Sequence, residues 1–289
     1  MSLNPSFSGR GGQVLMVTGS QPGPCANPIG DHLLLRLFKN KVDYCRIHGY
    51  GIWYNNVLLH PKMATFWAKY TAVRAAMMAH PEAEWIWWVD SNAIITDMDF
   101  NLPLQKYSNH NLVINGWADV LYEKRSWTGV NAGVFLIRNC QWSMDLLTRW
   151  VDFGPQSPDY ERWGRVEKSI FKDKRYPESD DQTALEYLLV EGKQKWGDKV
   201  YLENEYYLQG YWVEIVGKFE NVSRRYAEVE LADRRLRRRH EEEAGDACLI
   251  TPRFDESSGR IISVGGGGEK KAISRHTITP TSCPSLFFK

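Results

Sequence analysis

Short apolar runs alternate along the chain with longer stretches in which apolar residues recur every third or fourth position. Val14-Leu-Met-Val-Thr18 is continuous and closes on Gly19-Ser20, which predicts a strand buried on both faces, as in a parallel sheet. Gly19 to Gly30, rich in proline and glycine, reads as a loop. Asp31 to His48 carries Leu34, Leu37, Phe38 and Val42 near one face and predicts a helix. Gly51 to Asn55 predicts a second strand and Phe66 to His80 a second helix. Trp85-Ile-Trp-Trp-Val89 is the strongest strand signal and runs directly into Asp90. Leu112–Ile114 and Val134–Ile137 predict further strands, and Trp142–Trp150 and Gln182–Glu191 further helices. Strands alternating with amphipathic helices argue an α/β domain on a largely parallel sheet.

Phe219 to Glu243 reads as a long charged helix. The character then changes: residues 246–289 lack periodicity, contain Gly265-Gly-Gly-Gly268 and end rich in serine, threonine and proline, so they are expected to be irregular or disordered. Residues 1–12, Ser/Gly-rich and without an apolar centre, are expected to be disordered and not a signal peptide. The ordered domain expected is 13–245.

Composition narrows the function classes. A hydrophobic fraction of 43% suffices for a substantial core, and a net charge of +1 gives no global field toward nucleic acid or acidic membranes. The basic run Arg234–Arg239 is followed at once by Glu241-Glu-Glu243 and reads as a solvated helix face. No stretch reaches the roughly 20 apolar residues of a membrane span, so the chain as written reads as soluble. The five cysteines form no CxxC pair, which argues against a zinc site; in an oxidising lumen Cys25 and Cys45 are the candidates for a bridge. Asn221-Val-Ser223 is an N-glycosylation sequon. The 12 Trp and 14 Tyr suit both core filling and the stacking of sugar rings.

Ligands of open α/β sheets bind beyond the carboxyl ends of the strands. Two acidic turns qualify. Asp90-Ser91-Asn92 follows the strongest strand; it is either an ordinary strand-end turn or a hard-cation site that would neutralise a diphosphate, with an uncharged amide as its second ligand. Asp180-Asp181-Gln182 opens a helix, where a carboxylate caps free amides whether or not it also serves chemistry.

In order along the chain stand Val17-Thr-Gly-Ser-Gln-Pro22, Gly30-Asp-His32, Asn40-Lys-Val-Asp-Tyr-Cys45, Phe66-Trp-Ala-Lys69 and Trp87-Trp-Val-Asp-Ser-Asn92. Gly129-Val-Asn-Ala-Gly133, Ser179-Asp-Asp-Gln182, Lys195-Trp-Gly197 and Tyr207-Leu-Gln-Gly-Tyr-Trp212 complete the set. This ordered set, over about residues 13–245, resembles the plant family-34 glycosyltransferases, the galactomannan galactosyltransferases and xyloglucan xylosyltransferases, and is closer to the former. The resemblance implies a GT-A type, Rossmann-like nucleotide-sugar-binding domain. It implies a retaining transfer of an α-sugar from a UDP donor to the 6-position of a β-linked backbone, with Mn²⁺ as cofactor. Donor and cofactor contacts implied are Thr18, Gly19, Ser20, Lys69, Asp90, Ser91 and Asn131; the metal pair is Asp90 and Asn92. Asp180, Asp181 and Gln182 match the segment beside the anomeric carbon. Trp117, Trp127 and Trp212 are candidate platforms for the acceptor.

Two departures matter. Asn92 stands where the family has Asp. Family members also continue past the charged helix into a His-Phe-x-Gly-Cys-type segment whose His is a third metal ligand; no such segment follows Gly245, and His240 and His276 stand in other contexts. Three readings follow: a mannan α-galactosyltransferase using UDP-galactose, a xyloglucan α-1,6-xylosyltransferase using UDP-xylose, and a catalytically dead, truncated member that supports active relatives. The expected partners are a nucleotide sugar, a polysaccharide acceptor and, in a homo- or hetero-oligomer, other Golgi glycosyltransferases. The expected place is the lumenal side of the Golgi membrane, although this chain lacks an anchor segment.

Overall fold

A computed structural model describes residues 14–63, 65–206, 208 and 218–232, together with the backbone of two short strands at 253–255 and 260–262. Trp212, His240, His276 and the N-terminal segment lie outside the described residues.

The first apolar run becomes β1 (Val14–Gly19), followed by α1 (Pro28–His48). α1 begins three residues before the periodicity suggests. Asn27 caps it, its Oδ1 accepting from the Gly30 amide at 3.0 Å, and Pro28 fills the first turn, where a missing N–H costs nothing. It stops at Gly49, whose φ of 68° is left-handed. β2 (Gly51–Asn55), a 3₁₀ turn (Thr65–Trp67), α2 (Ala68–Ala79) and β3 (Trp85–Val89) follow. Then come β4 (Leu112–Gly116), β5 (Val130–Arg138), α3 (Gln141–Val151), α4 (Tyr160–Ile170), α5 (Asp181–Glu191), α6 (Lys193–Trp196) and β6 (Val200–Glu203). α4 carries too few apolar residues, and β6 at four residues is too short, for periodicity to reveal them.

The sheet order is β2-β1-β3-β5-β4-β6. The expectation of a largely parallel sheet holds with one exception: β5 is antiparallel to both β3 and β4, while every other neighbouring pair is parallel. The sheet is therefore the mixed, mostly parallel α/β arrangement expected of a GT-A type, Rossmann-like domain. Because β5 is reversed, its first residues lie at the edge where the other strands end.

Both faces are covered, which explains the unbroken Trp-Ile-Trp-Trp-Val run. Leu15, Val17, Ile86, Trp88, Phe135 and Ile137 join one buried cluster with Val73, Met77, Leu146, Trp150 and Leu188 of α2, α3 and α5. On the other face Trp87 meets Tyr44 of α1 edge-on, ring centroids 5.6 Å apart, and Met16 meets Cys45. Cys45 is a buried free thiol, so the Cys25–Cys45 bridge does not form; burial pushes that thiol far up in pKa, against a smaller pull from Lys41.

The chain divides into two compact units at Val222/Ser223. Helix α7 (Phe219–Ala232) begins in the first unit; residues 233–243 of the expected long helix lie outside the described residues. In the second unit, within the segment read as irregular, β7 (Arg253–Asp255) pairs antiparallel with β8 (Arg260–Ile262).

Candidate functional site at the carboxyl edge of the sheet

The two acidic turns meet on one lysine. Lys69, on the first turn of α2 and 3% exposed, places its ammonium 2.8 Å from Asp181 Oδ2 and 3.4 Å from Asp90 Oδ1. It also donates to the Ala132 carbonyl of β5 at 2.9 Å. Burial pulls the lysine's pKa down, but Asp181 and Asp90 together outweigh burial and hold it above its ordinary value. Asp90 is pushed up, chiefly by burial, with Lys69 and Trp88 opposing. Three elements remote in sequence are thus joined through one cation.

Each carboxylate is further fixed. Trp88 Nε1 donates to Asp90 Oδ1 at 2.6 Å, and the Asp90 amide donates to the Gly133 carbonyl at 2.9 Å. A Cβ on Gly133 would stand 3.0 Å from both Asp90 Oδ2 and Asn131 Oδ1, so glycine is what lets β5 lie against the acidic turn. Asn131 Oδ1 accepts from the Gly133 amide at 2.8 Å. Tyr70 donates to Asp181 Oδ2 at 3.1 Å, and Trp150 Nε1 to the Asp181 carbonyl at 2.7 Å. Gln182 bridges β5 and the preceding loop: its Oε1 accepts from the Ala132 amide at 3.3 Å and its Nε2 donates to the Trp127 carbonyl at 2.9 Å.

Asp180 does a different job from its neighbour. It caps α5, one oxygen accepting from the Thr183 amide at 2.9 Å and the other from Thr183 Oγ1 at 2.8 Å. The second oxygen also pairs with Lys174, whose buried ammonium lies 3.7 Å from Glu167 of α4. Glu167 Oε1 accepts from Ser179 Oγ at 2.6 Å. Burial lifts the Glu167 carboxyl to about 7, with Ser179 and Lys174 opposing, and burial lowers Lys174. The capping reading of Asp180 is therefore correct, and the triad Glu167–Lys174–Asp180 grips the back of the turn that aims Asp181 and Gln182.

The turn after β3 has its own clamp. Lys41 of α1, 1% exposed, donates to the carbonyls of Ala93 at 2.6 Å and Ser91 at 3.2 Å. Its pKa is lowered to about 7 by burial, with Asp90 and Cys45 opposing. Asn40 exchanges two hydrogen bonds with the backbone of Ile95, at 2.8 and 3.0 Å.

At the end of β1, Thr18 is fully buried and its hydroxyl finds no hydrogen-bond partner among the described residues. Gly19 is required: a Cβ there would fall 2.1 Å from the Asn55 carbonyl oxygen. Ser20 Oγ accepts from Tyr54 at 2.7 Å. Trp117 and Trp127 are half-buried in the loop between β4 and β5. An open depression of about 510 Å³, lined by His60, Lys62, Asp152, Gln156 and neighbouring residues, includes none of Lys69, Asp90 or Asp181. Tyr70, Trp150, Glu167 and Lys174 lie outside every sequence motif; Lys41 and Trp88 stand inside the Asn40–Cys45 and Trp87–Asn92 strings, which gave them no role.

The expected Mn²⁺ can be tested against these contacts. Asp90 Oδ1 already accepts from Trp88 and faces Lys69, and the second ligand is the neutral Asn92. Among the described residues no group of three or more His, Cys, Asp or Glu side chains is placed to hold a metal ion. One partly engaged carboxylate and one amide do not fit a tightly held hard cation, and no chemical step is derived through one.

The mixed α/β sheet, with a lysine-bridged pair of carboxylates at its carboxyl edge, places the chain in the Rossmann-like class of folds, which bind ligands beyond their strand ends. The chain belongs to the galactosyl transferase GMA12/MNN10 family, whose model matches residues 11–248. It is 63% identical over 244 residues to Glycosyltransferase 6 of Arabidopsis thaliana, covering 84% of this chain and 56% of that one. It is 60% identical over 245 residues to Galactomannan galactosyltransferase 1 of Cyamopsis tetragonoloba, covering 84% and 56%. Against the Arabidopsis protein named Probable xyloglucan 6-xylosyltransferase 3 the identity is 50% over 222 residues, covering 77% and 49%. The chain thus spans about half the length of these relatives. Among solved structures, a glycosyltransferase involved in glycosylation of the major capsid of PBCV-1 matches with a TM-score of 0.43 at 16% identity, over 68% of this chain and 82% of that one.

Proposed function

We propose that this chain transfers an α-galactosyl unit from UDP-galactose to the 6-position of a β-linked mannan or related hemicellulose backbone, with retention of configuration. The observation that carries the proposal is the joining of Asp90 and Asp181 through Lys69 at the carboxyl edge of the sheet. The lysine supplies fixed positive charge near the diphosphate, and Asp181, held by Lys69 and Tyr70, stabilises the oxocarbenium-like charge at the anomeric carbon. As the bond from that carbon to the diphosphate oxygen breaks, the acceptor's 6-hydroxyl oxygen forms the new bond on the same face. The hydroxyl proton leaves on the departing phosphate oxygen. Gly19 and Ser20 lie beside the uridine, whereas the expected contact Thr18 is fully buried and offers it no surface, and Asn131 and Ser91 lie beside the diphosphate. Asp90 and Asn92 are the residues that would hold a Mn²⁺, but one carboxylate already engaged by Trp88 and one neutral amide do not fit a tightly held cation.

The galactose reading is favoured over xylose by the higher identity to the galactomannan enzyme. Asn92 favours a further alternative, a family member that binds the donor without turning it over and associates with other transferases. The proposed setting for either is the lumenal side of the Golgi. Calorimetry with UDP, followed by turnover of radiolabelled UDP-galactose and UDP-xylose on manno- and cello-oligosaccharides, separates the readings. Galactose transfer is the expected result; xylose transfer alone would reassign the donor, and binding without transfer would make the chain a non-catalytic partner.

A further inference from the structure

The loop between β4 and β5 and the segment after α4 build an aromatic shelf at the carboxyl edge of the sheet, next to the Lys69 cluster. Trp127 and Tyr176 meet edge to face, ring centroids 6.1 Å apart and planes at 72°. Tyr176 is 47% exposed; with Phe66 it supplies the exposed aromatic rings among the described residues. Trp127 is half-buried and lies outside the hydrophobic core cluster. An aromatic pair that neither fills the core nor hides from water offers apolar faces suited to the C–H face of a pyranose.

The shelf is tied to the cleft at fixed register. Gln182 donates to the Trp127 carbonyl at 2.9 Å and accepts from the Ala132 amide, and Ala132 accepts from Lys69. Asp173 holds the other side, accepting from the Trp127 amide at 3.1 Å and from Ser126 Oγ. One residue on, Lys174 turns inward to Asp180. The four residues Asp173–Tyr176 thus fasten the shelf with one side chain and the catalytic turn with the next. Ser126 and Thr128 place exposed hydroxyls next to Trp127, 2.9 Å from each other, giving polar contacts at the ring's rim.

We infer that Trp127 and Tyr176 form a subsite for the backbone of a β-linked glycan acceptor, docking one pyranose ring next to the residue that receives the new branch. The inference rests on the reading of the cleft as a transferase site. It assigns Tyr176 a binding role that motif spacing does not reveal, and it makes Asp173 the residue that positions Trp127.

The test is calorimetry and saturation-transfer NMR with β-1,4-mannohexaose and, separately, UDP, on the whole chain and the variants Y176A, Y176F and W127A. Wild type is expected to bind both ligands. Y176A is expected to lose about tenfold in hexaose affinity, the scale of one removed aromatic anchor, and W127A at least as much. Y176F, which keeps the ring, stays within about twofold. UDP affinity stays within about twofold in all three and also reports that each variant is folded. Hexaose affinity unchanged in Y176A, or a wild type that binds UDP and no hexaose, overturns the shelf while leaving the donor site standing. A wild type that binds neither ligand overturns the transferase reading and the shelf with it.

Discussion

Lys69 is where the chemistry of the site concentrates. With 3% of its surface exposed, it has little water to solvate it, and two carboxylates and a carbonyl take that part. Removing the cation strands two largely buried carboxylates, so K69M is expected to lower stability by about 3–5 kcal/mol in urea denaturation and to abolish UDP binding. Asn92 invites the opposite experiment. Restoring a charge at that position should raise Mn²⁺ affinity at least tenfold in N92D, read by electron paramagnetic resonance of free Mn²⁺; an unchanged affinity would remove this turn from any metal site. Asp90, Asp181 and Gln182 were legible because they stand inside the Trp87–Asn92 and Ser179–Gln182 strings of the family resemblance; as a strand-end turn and a helix start alone they read equally well as turn former and cap. Lys41 and Lys174 were not, because a lysine on a helix or in a loop reads as surface, and only tertiary burial turns it into a clamp.

At the scale of elements, α5 is held from behind. Its first turn presents Asp181 and Gln182 to the cleft while Asp180 faces Lys174 and, through it, Glu167. The Glu167 carboxyl rises from an ordinary 4.5 to about 7 on folding, mainly through burial. The folded state therefore keeps a proton that the unfolded chain releases. Its contribution is full below about pH 4.5 and is lost as pH rises through about 7. Relative to E167Q, wild type is expected to lose on the order of 2 kcal/mol over that window, read as the difference in thermal-unfolding curves. A constant difference from pH 4.5 to 7.5 would show that Glu167 titrates normally. None of this was visible from spacing: α4 has a polar sequence, and its buried carboxylate, Glu167, looks like its exposed one, Glu161.

For the whole molecule, the apolar runs were enough to place β1 to β5 and the helices that cover them, because continuous hydrophobicity demands two covered faces. Direction was not legible: Val134–Ile137 reads the same whichever way the strand runs, and only the pairing shows that β5 is reversed. The close approach of strand ends also has a stability consequence. G19A would drive a methyl to 2.1 Å from a backbone oxygen of β2 that no side-chain rotation can relieve, so a loss of about 2–3 kcal/mol in urea denaturation is expected.

The reversed strand has a consequence for how such an enzyme diversifies. Its connection from β4 must turn back at the edge where the other strands end, so the excursion bearing Trp117 and Trp127 lies at the same end of the sheet as Asp90, where the acceptor is proposed to dock. Lengthening or rewriting that hairpin would alter which polymers are decorated, while the frame that handles the nucleotide stays as it is.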